Sequence, residues 1–501
     1  MHGKKIIASS ITAILYQVCV LILGFVSRSI FISVIGEELL GLSSLYSNLL
    51  EFLNLAELGI GVAVQYSLYE PIVNHDHEKV SNILAVAKYV YDRIGCFVMA
   101  AGCVCTPFIQ FLIKETTYPL WYVRVAFIIS VAGIAFSYFM VYKRLYMTAN
   151  EEIALTNVVD MVMRVVTVFA SILSIVIFKN YFLYLGINAL YSLLGNIVIG
   201  YLFDRKHKEI KIQTKQIDKE TLHNLTKDLK QVIPLKLSNY VYNSTDNIII
   251  SKVIGLVTVT MYSNYMILLN AMMHFEYMFG NIIMTSMGKI IKETEDTEPV
   301  FEFYMVFQYL QFVFTNFCTV CFAGLCTPFI TLWIGKKFVI SLFCFVLLTL
   351  DFFVHSMYQP AYVVYGATGK FKEDKYITIA SAIMNIVISV ALVLWIGLPG
   401  VIIGTLITDL YIWVVRTWQI IRGYFHKNLV TYTIKMIIYC AITGIGVWIS
   451  VTVGDLCRIE APMLELVVRF SICAIVSMGL ALVTTFRSKE FKYCIRFIKK
   501  K

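Results

Sequence analysis

The sequence contains few charged residues for its length. Only 15% of its 501 residues are Asp, Glu, Lys or Arg, whereas 59% are hydrophobic, and the mean hydropathy is +0.75. A water-soluble chain of this size needs far more polar surface to cover its core, so this composition excludes a soluble protein. The sequence therefore indicates an integral membrane protein.

The apolar segments are long and continuous rather than short and alternating in polarity. Runs above about 18 residues recur along the chain, and each is long enough to cross a hydrocarbon core of about 30 Å as a helix. Transmembrane β-strands would instead be about ten residues long and would alternate, which excludes a barrel. We predict an all-α polytopic fold with about 14 spans near 6–34, 41–69, 81–113, 118–146, 153–178, 181–203, 231–254, 257–287, 300–334, 338–365, 375–396, 399–421, 429–453 and 460–486.

The polar segments lack the patterns of an enzyme or a metal site. They contain no nucleophile–base pair, metal cluster, glycine-rich phosphate loop or nucleic-acid motif, and the outer connections are too short to cover a polymerase active site. The twelve Cys residues lie singly in apolar runs, and Cys318 and Cys321 form a CxxC with no second pair. We expect buried thiols, no cofactor, no metal and no cleavable signal peptide.

Basic residues outnumber acidic residues, 42 to 32, and their positions follow the predicted membrane topology. With the N-terminus in the cytosol, most Lys and Arg residues lie on inner connections and tails, including Lys143, Arg144, Arg416 and the group between Arg205 and Lys230. This asymmetry is the positive-inside rule, and it predicts that both termini are cytosolic. The basic excess therefore indicates membrane topology and not nucleic-acid binding.

Short phrases recur at a nearly constant distance along the chain. TPFI occurs at Thr106 and Thr327, 221 positions apart, and the YSN at Tyr46 recurs at Tyr262, 216 positions later. Three further matches lie in order at offsets of 218 to 220. Five ordered anchors predict a duplication, and six spans between counterparts preserve orientation, so the halves are expected to be parallel repeats around a central cavity.

The duplication predicts the domain organisation. The polar stretch from Phe203 to Lys230 separates the two six-span halves and reads as a solvated cytosolic linker with a short amphipathic helix on anionic lipid. The last two spans match nothing in the repeat. We predict an N-lobe at 1–203, a linker at 204–230, a C-lobe at 231–425, and accessory helices with a cytosolic tail at 426–501.

Polar residues inside spans are costly and usually face protein or water. In the span IPLKLSNYVYNSTDNIII, helical periodicity predicts that Lys236, Asn239, Asn243 and Asp246 lie on one face. Its counterpart in the first half carries Arg28. A mid-span cation requires an anion, so Arg28 and Lys236 are candidate substrate contacts, although Lys236 is also placed to extend toward the cytosolic interface.

Other spans carry polar faces with two open interpretations, substrate binding or helix packing through interhelical hydrogen bonds. Asn54 corresponds to Asn270 at an offset of 216, and one face of a later span combines an acid, an imidazole and phenols. Besides Arg28 and Lys236, the candidates for the substrate are Asn239, Asn243, Asp246, Asn54, Asn270, Asp351, His355 and Tyr358. The candidates for coupling to an ion are Asp246, Glu57 and His355. Asp160 and Arg164, four residues apart, are expected to form an ion pair.

Three features together resemble a known family: AELGIGVAVQYSLYEPIVNHDHEKVSNIL from Ala56, DNIIISKVIGLVTVTMYSNYMILLNAM from Asp246, and two six-span halves followed by two extra spans. Over essentially the whole chain, the sequence resembles the polysaccharide exporters of the multidrug/oligosaccharidyl-lipid/polysaccharide flippase superfamily, which include O-antigen and capsule-unit flippases.

The resemblance implies a flippase that moves undecaprenyl-diphosphate-linked oligosaccharide across the bacterial cytoplasmic membrane by alternating access of two lobes around a cationic cavity. It also implies membrane lipids, H⁺ or Na⁺ and polysaccharide assembly enzymes as partners. Arg28 and Lys236 would hold the diphosphate, because family members carry basic residues in the first and seventh spans. The alternative is an ion-coupled multidrug antiporter of the same superfamily, which would have an anionic cavity and usually twelve spans.

Overall fold

The protein is helical throughout the part of the chain that the structure describes. The computed structural model describes residues 2–54, 57, 59–212, 240, 244–294, 296–369, 371–457 and 459–499, and no strand occurs in these ranges. Twelve of the described helices are long and apolar enough to cross a membrane. The predicted all-α, polytopic fold class is confirmed.

The chain divides into two compact units, Met1–Thr260 and Met261–Lys501. The division falls after Thr260 rather than in the predicted linker at 204–230, most of which lies outside the described residues. The lobe and linker boundaries drawn from the sequence therefore stay predictions. The helices of the first unit are α1 His2–Val34, α2 Glu37–Asn54, α3 Ile60–Val73, α4 His77–Cys105, α5 Leu120–Tyr138, α6 Val141–Ala149, α7 Ile153–Phe178 and α8 Tyr181–Lys206, with a 3₁₀ turn at Thr106–Leu112 and a helical stretch at 244–253.

Longer helices make up the second unit. The helix α9, which begins in the first unit, has 38 residues, and Pro328 and Pro360 lie inside α10 and α11 without ending them. The elements are α9 Leu256–Glu293, α10 Thr297–Trp333, α11 Leu342–Thr368, α12 Phe371–Ile396, α13 Leu398–Trp418, α14 Leu429–Leu456, α15 Pro462–Thr485 and α16 Lys489–Lys499, and a π-helical turn at Gln419–Tyr424 continues α13.

Helix starts recur at the spacing of the sequence repeat. Five helices of the first unit have a counterpart that starts 217 to 222 positions later, and in one pair, α7 and α12, both helices have 26 residues. The paired starts are Glu37 and Leu256, His77 and Thr297, Leu120 and Leu342, Ile153 and Phe371, and Tyr181 and Leu398. The helical order of the two halves is therefore the one that the repeated phrases predict.

The halves differ in where their helices break. The first half separates α2 from α3 and α5 from α6, and Met140 at the second break has a φ of 65°. The counterparts of both pairs, α9 and α11, are continuous. The predicted second span at 41–69 is thus two helices of 18 and 14 residues, and most of the predicted seventh span lies outside the described residues, which accounts for twelve qualifying helices against about 14 predicted.

Helices α12 and α13 approach closely through small residues. Gly400 and Gly404 form a GxxxG spacing at the start of α13, and a Cβ at Gly400 would lie 2.4 Å from the backbone carbon of Leu392. Ser389 faces Gly404 in the same way, and the Asn385 amide donates to the Thr405 hydroxyl at 3.1 Å. Small residues allow such contact between helices whose other surfaces face lipid.

Replacement of Gly400 by Ala should destabilise the second unit. The added methyl group has no space against the Leu392 backbone, and overpacking of this kind costs about 1–3 kcal/mol. Gly479→Ala in α15 is the matched control, because a Cβ there meets nothing within 4 Å. Thermal unfolding of the two variants in detergent tests this contact, and equal midpoints for both would contradict the proposed close approach.

Candidate functional site

Each unit contains its own cluster of polar side chains within apolar helices. In the first unit the cluster surrounds a cavity of about 310 Å³, here called the Arg144 cavity. Its lining combines carboxylates, phenols, hydroxyls and an amide, namely Tyr16, Glu57, Ser137, Tyr138, Arg144, Asp160, Tyr191, Ser192 and Asn196, together with Val141 and Gly195. This volume is within the range of small-molecule sites.

A bidentate ion pair dominates the Arg144 cavity. Arg144 on α6 donates to both oxygens of Asp160 on α7, at 2.5 and 2.8 Å, and its Nε donates to the Asn196 amide oxygen at 3.1 Å. The Asn196 amide nitrogen in turn donates to the backbone carbonyls of Ser137 and Phe139. The break after α5 exposes these carbonyls. The Asn196 side chain therefore links the ion pair to the helix break.

Two predicted residues lie at or near this cavity. Glu57 accepts a hydrogen bond from the Tyr91 hydroxyl at 2.9 Å, and Asn54 accepts one from the Tyr138 hydroxyl at 3.0 Å. Both partners sit on the helices α4 and α5, which pack beside α2. Glu57 thus lies in the cavity wall, and Asn54 is hydrogen-bonded to Tyr138, which lines the cavity.

The expected ion pair between Asp160 and Arg164 is wrong. Asp160 is bound by Arg144, because the short helix α6 brings that guanidinium across from another element. Arg164 instead lies over the Tyr191 ring, with its guanidinium carbon 5.7 Å from the ring centre, and its Nε is buried without a hydrogen-bond partner within the described ranges. Its charge is therefore not cancelled by Asp160.

Arg28 and Arg164 lie near the same tyrosine. Both guanidinium groups act electrostatically on Tyr184 of α8, and α1 packs along α7, which carries Arg164. The predicted partner of Arg28, Lys236, lies outside the described residues, as do Asn239 and Asn243. Within the first unit, Arg164 is thus a second cation near Arg28. The sequence had predicted an ion pair for this arginine instead.

The helical stretch at 244–253 is tied to α2. Asn48 donates to the Ser244 carbonyl at 3.0 Å, the Ser244 hydroxyl donates to Glu51 at 2.7 Å, and the Asn247 amide donates to Asn48 at 3.3 Å. Asp246 is buried in this stretch. Asn48 and Glu51 of α2 therefore pack against the stretch that carries Asp246.

In the second unit the polar cluster is centred on an imidazole and is here called the His355 network. His355 Nδ1 is 3.0 Å from the Asp409 carboxylate and 2.8 Å from the Tyr358 hydroxyl, and its Nε2 is 3.2 Å from the Tyr277 hydroxyl. Asp409 is completely buried. Helices α9, α11 and α13 each contribute a polar group, so both ring nitrogens are engaged.

A buried arginine borders the His355 network. Arg416 on α13 donates through Nε to Asp374 on α12 at 2.8 Å, and its guanidinium carbon lies 5.4 Å and 5.3 Å from the ring centres of Tyr358 and Tyr362. Cations over aromatic faces are stabilised electrostatically. The predicted polar face of α11 is thus covered in part by a cation from α13.

The remaining predicted residues have different surroundings. Asp351 is buried, whereas Asn270 on α9 is exposed within its unit. His274 and Tyr277, which lie on the same helix, are exposed along with Asn270. Among the predicted second-unit residues, His355 and Tyr358 are joined by a hydrogen bond.

Sequence reasoning missed several charged residues of both clusters. Arg144 and Arg416 were assigned to cytosolic connections, but each lies on a helix and binds an acid. Asp409 and Glu276 interrupt the apolar runs ITDLYIWVV and MMHFEYMF, and this interruption is the signal that identifies them. Neither run contains a Lys or Arg residue that would suggest a local partner.

An apolar groove of about 770 Å³ lies among α10, α11, α13 and α14. Its wall includes Phe345, Phe353, Trp413 and Trp448, with Arg469 at its polar boundary. Arg469 donates to Glu465 at 2.8 Å and to Asp455 at 3.0 Å.

No family model matches the sequence, and no curated protein matches it either. Solved structures do match. The lipid II flippase MurJ in an inward closed conformation superposes with a TM-score of 0.69 and 13% identity, over 95% of this chain and 98% of that one. The chain has the fold of that flippase. An inward-facing multidrug resistance MATE family transporter of the MOP superfamily matches with a TM-score of 0.66 and 14% identity, over 79% and 92%.

A third structure with the MOP fold comes from Pyrococcus furiosus and is described as a MOP superfamily transporter whose binding pocket has reverse polarity. It matches with a TM-score of 0.54 and 16% identity, over 85% of this chain and 97% of that one. All three identities are low, so the likeness establishes the MOP fold of this multi-pass membrane protein and leaves its substrate to be inferred from its own residues.

The ion pair of the Arg144 cavity should be detectable as energetic coupling. Arg144→Met or Asp160→Leu alone leaves one largely buried charge without a counterion, which costs roughly 3 kcal/mol, whereas the double variant removes both charges and should recover much of that loss. Denaturation in detergent measures the three free energies of unfolding. Glu70→Gln is the control, because Glu70 faces Lys79 at 3.7 Å in an exposed pair. Additive losses in the double variant would exclude the coupling.

Proposed function

We propose that this chain is a flippase that moves undecaprenyl-diphosphate-linked oligosaccharide from the cytosolic to the outer leaflet of the bacterial cytoplasmic membrane by alternating access, with both termini cytosolic. The observation that carries the proposal is the extent of the structural match. The lipid II flippase matches over 95% of this chain, whereas the MATE transporter matches over 79%. The additional coverage favours a lipid-carrying relative over a drug antiporter.

The headgroup requires cations, because a diphosphate cannot enter a low-dielectric interior without compensation. Arg28 and Arg164 supply two guanidinium groups near Tyr184, and Arg164 has no acidic hydrogen-bond partner within the described ranges. Guanidinium groups bind phosphate oxygens with two parallel hydrogen bonds. This pair is therefore the proposed diphosphate site of the first unit.

The glycan requires hydroxyl, amide and carboxylate groups around a space of limited size. The Arg144 cavity offers Glu57, Tyr16, Ser192 and Asn196 around about 310 Å³. Carboxylates and amides accept and donate the hydrogen bonds that sugar hydroxyls make. We assign a sugar of the transported headgroup to this cavity.

The lipid chain requires an apolar surface. The groove beside α14 has the walls for it, because Phe345, Phe353, Trp413 and Trp448 leave few polar atoms along its length. Its volume of about 770 Å³ is large enough for a segment of an isoprenoid chain while the rest stays in the bilayer.

The leaflet distribution of undecaprenyl-linked oligosaccharide tests the proposed function. In cells depleted of this protein, the lipid-linked unit should accumulate in the cytosolic leaflet, and expression of the wild type should reverse the accumulation. A depletion that leaves the lipid distribution unchanged but alters tolerance of cationic drugs would overturn the proposal and support the antiporter.

The proposed diphosphate site makes a sharper prediction. Arg164→Gln should lower the initial rate of flipping by tenfold or more, because a charge-assisted hydrogen bond is worth about 1.5–3 kcal/mol. Arg93→Gln is the matched control, since Arg93 is exposed and stacks on the Tyr89 ring of its own helix. Vesicles containing equal amounts of each folded variant provide the measurement. Equal rates for the two variants would remove Arg164 from the site.

A further inference from the structure

A buried carboxyl group in the second unit lacks a countercharge. Glu276 lies in the middle of α9 and is only 3% exposed. Neither of its carboxyl oxygens has a hydrogen-bond partner that meets normal geometry among the described residues. Its polar neighbours are the uncharged side chains of Ser356 on α11 and Gln311 on α10. Among the described residues, the site therefore presents a hydroxyl and an amide group to the carboxyl, but no cation.

This environment determines which form of the side chain is stable. Burial of an ionised carboxylate without a partner among apolar helices has a large desolvation cost. The protonated acid is neutral and can donate a hydrogen bond. Ser356 is also unsatisfied, since its hydroxyl has no acceptor or donor within the described ranges. A protonated Glu276 would supply the missing donor to that hydroxyl.

The carboxyl is not isolated from exposed groups. Tyr277, the next residue of α9, is 41% exposed, and its hydroxyl lies 3.2 Å from His355 Nε2. His355 precedes Ser356 on α11, so the α9–α11 contact places the carboxyl and the imidazole in adjacent positions. Hydroxyl and imidazole groups relay protons by accepting one and donating another. The buried acid therefore lies beside the segment of α11 whose imidazole contacts the exposed phenol.

The titratable and charged groups that the structure describes around Glu276 leave its carboxyl without an available countercharge. Arg416, the cation among these described groups, is bound to Asp374. The groups that face Glu276, directly or through the His355 network, are Tyr277 on α9, Cys318 on α10, His355 and Tyr358 on α11, and Asp409 and Arg416 on α13.

We propose that Glu276 binds and releases the proton whose movement drives transport, with the His355 network as its path to the unit surface. One carboxylate oxygen accepts the proton from one side of the membrane, and the same oxygen–hydrogen bond breaks when the proton leaves to the other side. The inference rests on the proposed function, because it assigns the coupling ion and its site to that transporter. The sequence candidates for coupling were Asp246, Glu57 and His355, so Glu276 replaces them as carrier.

Infrared difference spectroscopy tests the site without reference to transport. The wild-type protein in lipid should show a protonated-carboxyl band that disappears as the pH is raised, and Glu276→Gln should lack it. Glu302→Gln, which removes an exposed carboxyl from α10, should keep it. Glu276→Asp should restore a band at a shifted position. A wild-type band that survives in Glu276→Gln would overturn the assignment.

Flipping in proteoliposomes tests the coupling. A pH gradient should stimulate flipping by the wild type and Glu302→Gln, whereas Glu276→Gln should flip at the unstimulated rate and lose only the stimulation. Stimulation that persists in Glu276→Gln, or that follows a sodium gradient instead, would overturn the inference while leaving the flippase intact. A titrating carboxyl band in a protein that flips no lipid-linked oligosaccharide would keep the proton site and refute the proposed function.

Discussion

The cost of burying charge between apolar helices governs this structure. Every charged side chain at that depth must be neutralised by a counterion, by protonation or by a ligand, because hydrocarbon offers no solvation. Asp160 is bound by Arg144, and Asp374 is bound by Arg416. These two ion pairs hold α7 to α6 and α12 to α13. The desolvation cost of buried charge therefore also determines which helices pack together.

The two units satisfy this constraint with different residues in corresponding places. The acid lies on α7 in the first unit and on its counterpart α12 in the second, but the arginine comes from α6 in one and from α13 in the other. The short helix α6 exists because the first unit breaks after Tyr138, and that break delivers Arg144 to the cavity. A small change in backbone therefore exchanges the helix that supplies the cation.

The fold was largely predictable from the sequence, whereas the clusters were not. Apolar run lengths and repeated phrases depend on local composition, so they indicate spans and their order directly. Partners in an ion pair depend on which helices adjoin, and periodicity along one helix carries no such information. The sequence therefore paired Asp160 with Arg164, its neighbour on α7. In the structure Asp160 binds Arg144, which precedes it by sixteen residues and lies on α6. His355 was identified from the polar face of its own span, but its partner Asp409, on another helix, was not.

The equal lengths of α7 and its counterpart α12 have an evolutionary consequence. After a duplication, the thickness of the bilayer constrains the helix lengths of both copies. A helix that is too short or too long exposes polar backbone or strains the lipid. Bilayer thickness places no such constraint on which polar side chains each copy keeps. The helices α7 and α12 still have 26 residues each, although one carries Asp160 and the other Asp374 at a different turn. The bilayer thus constrains the length of this pair of helices, whereas their polar side chains are free to differ.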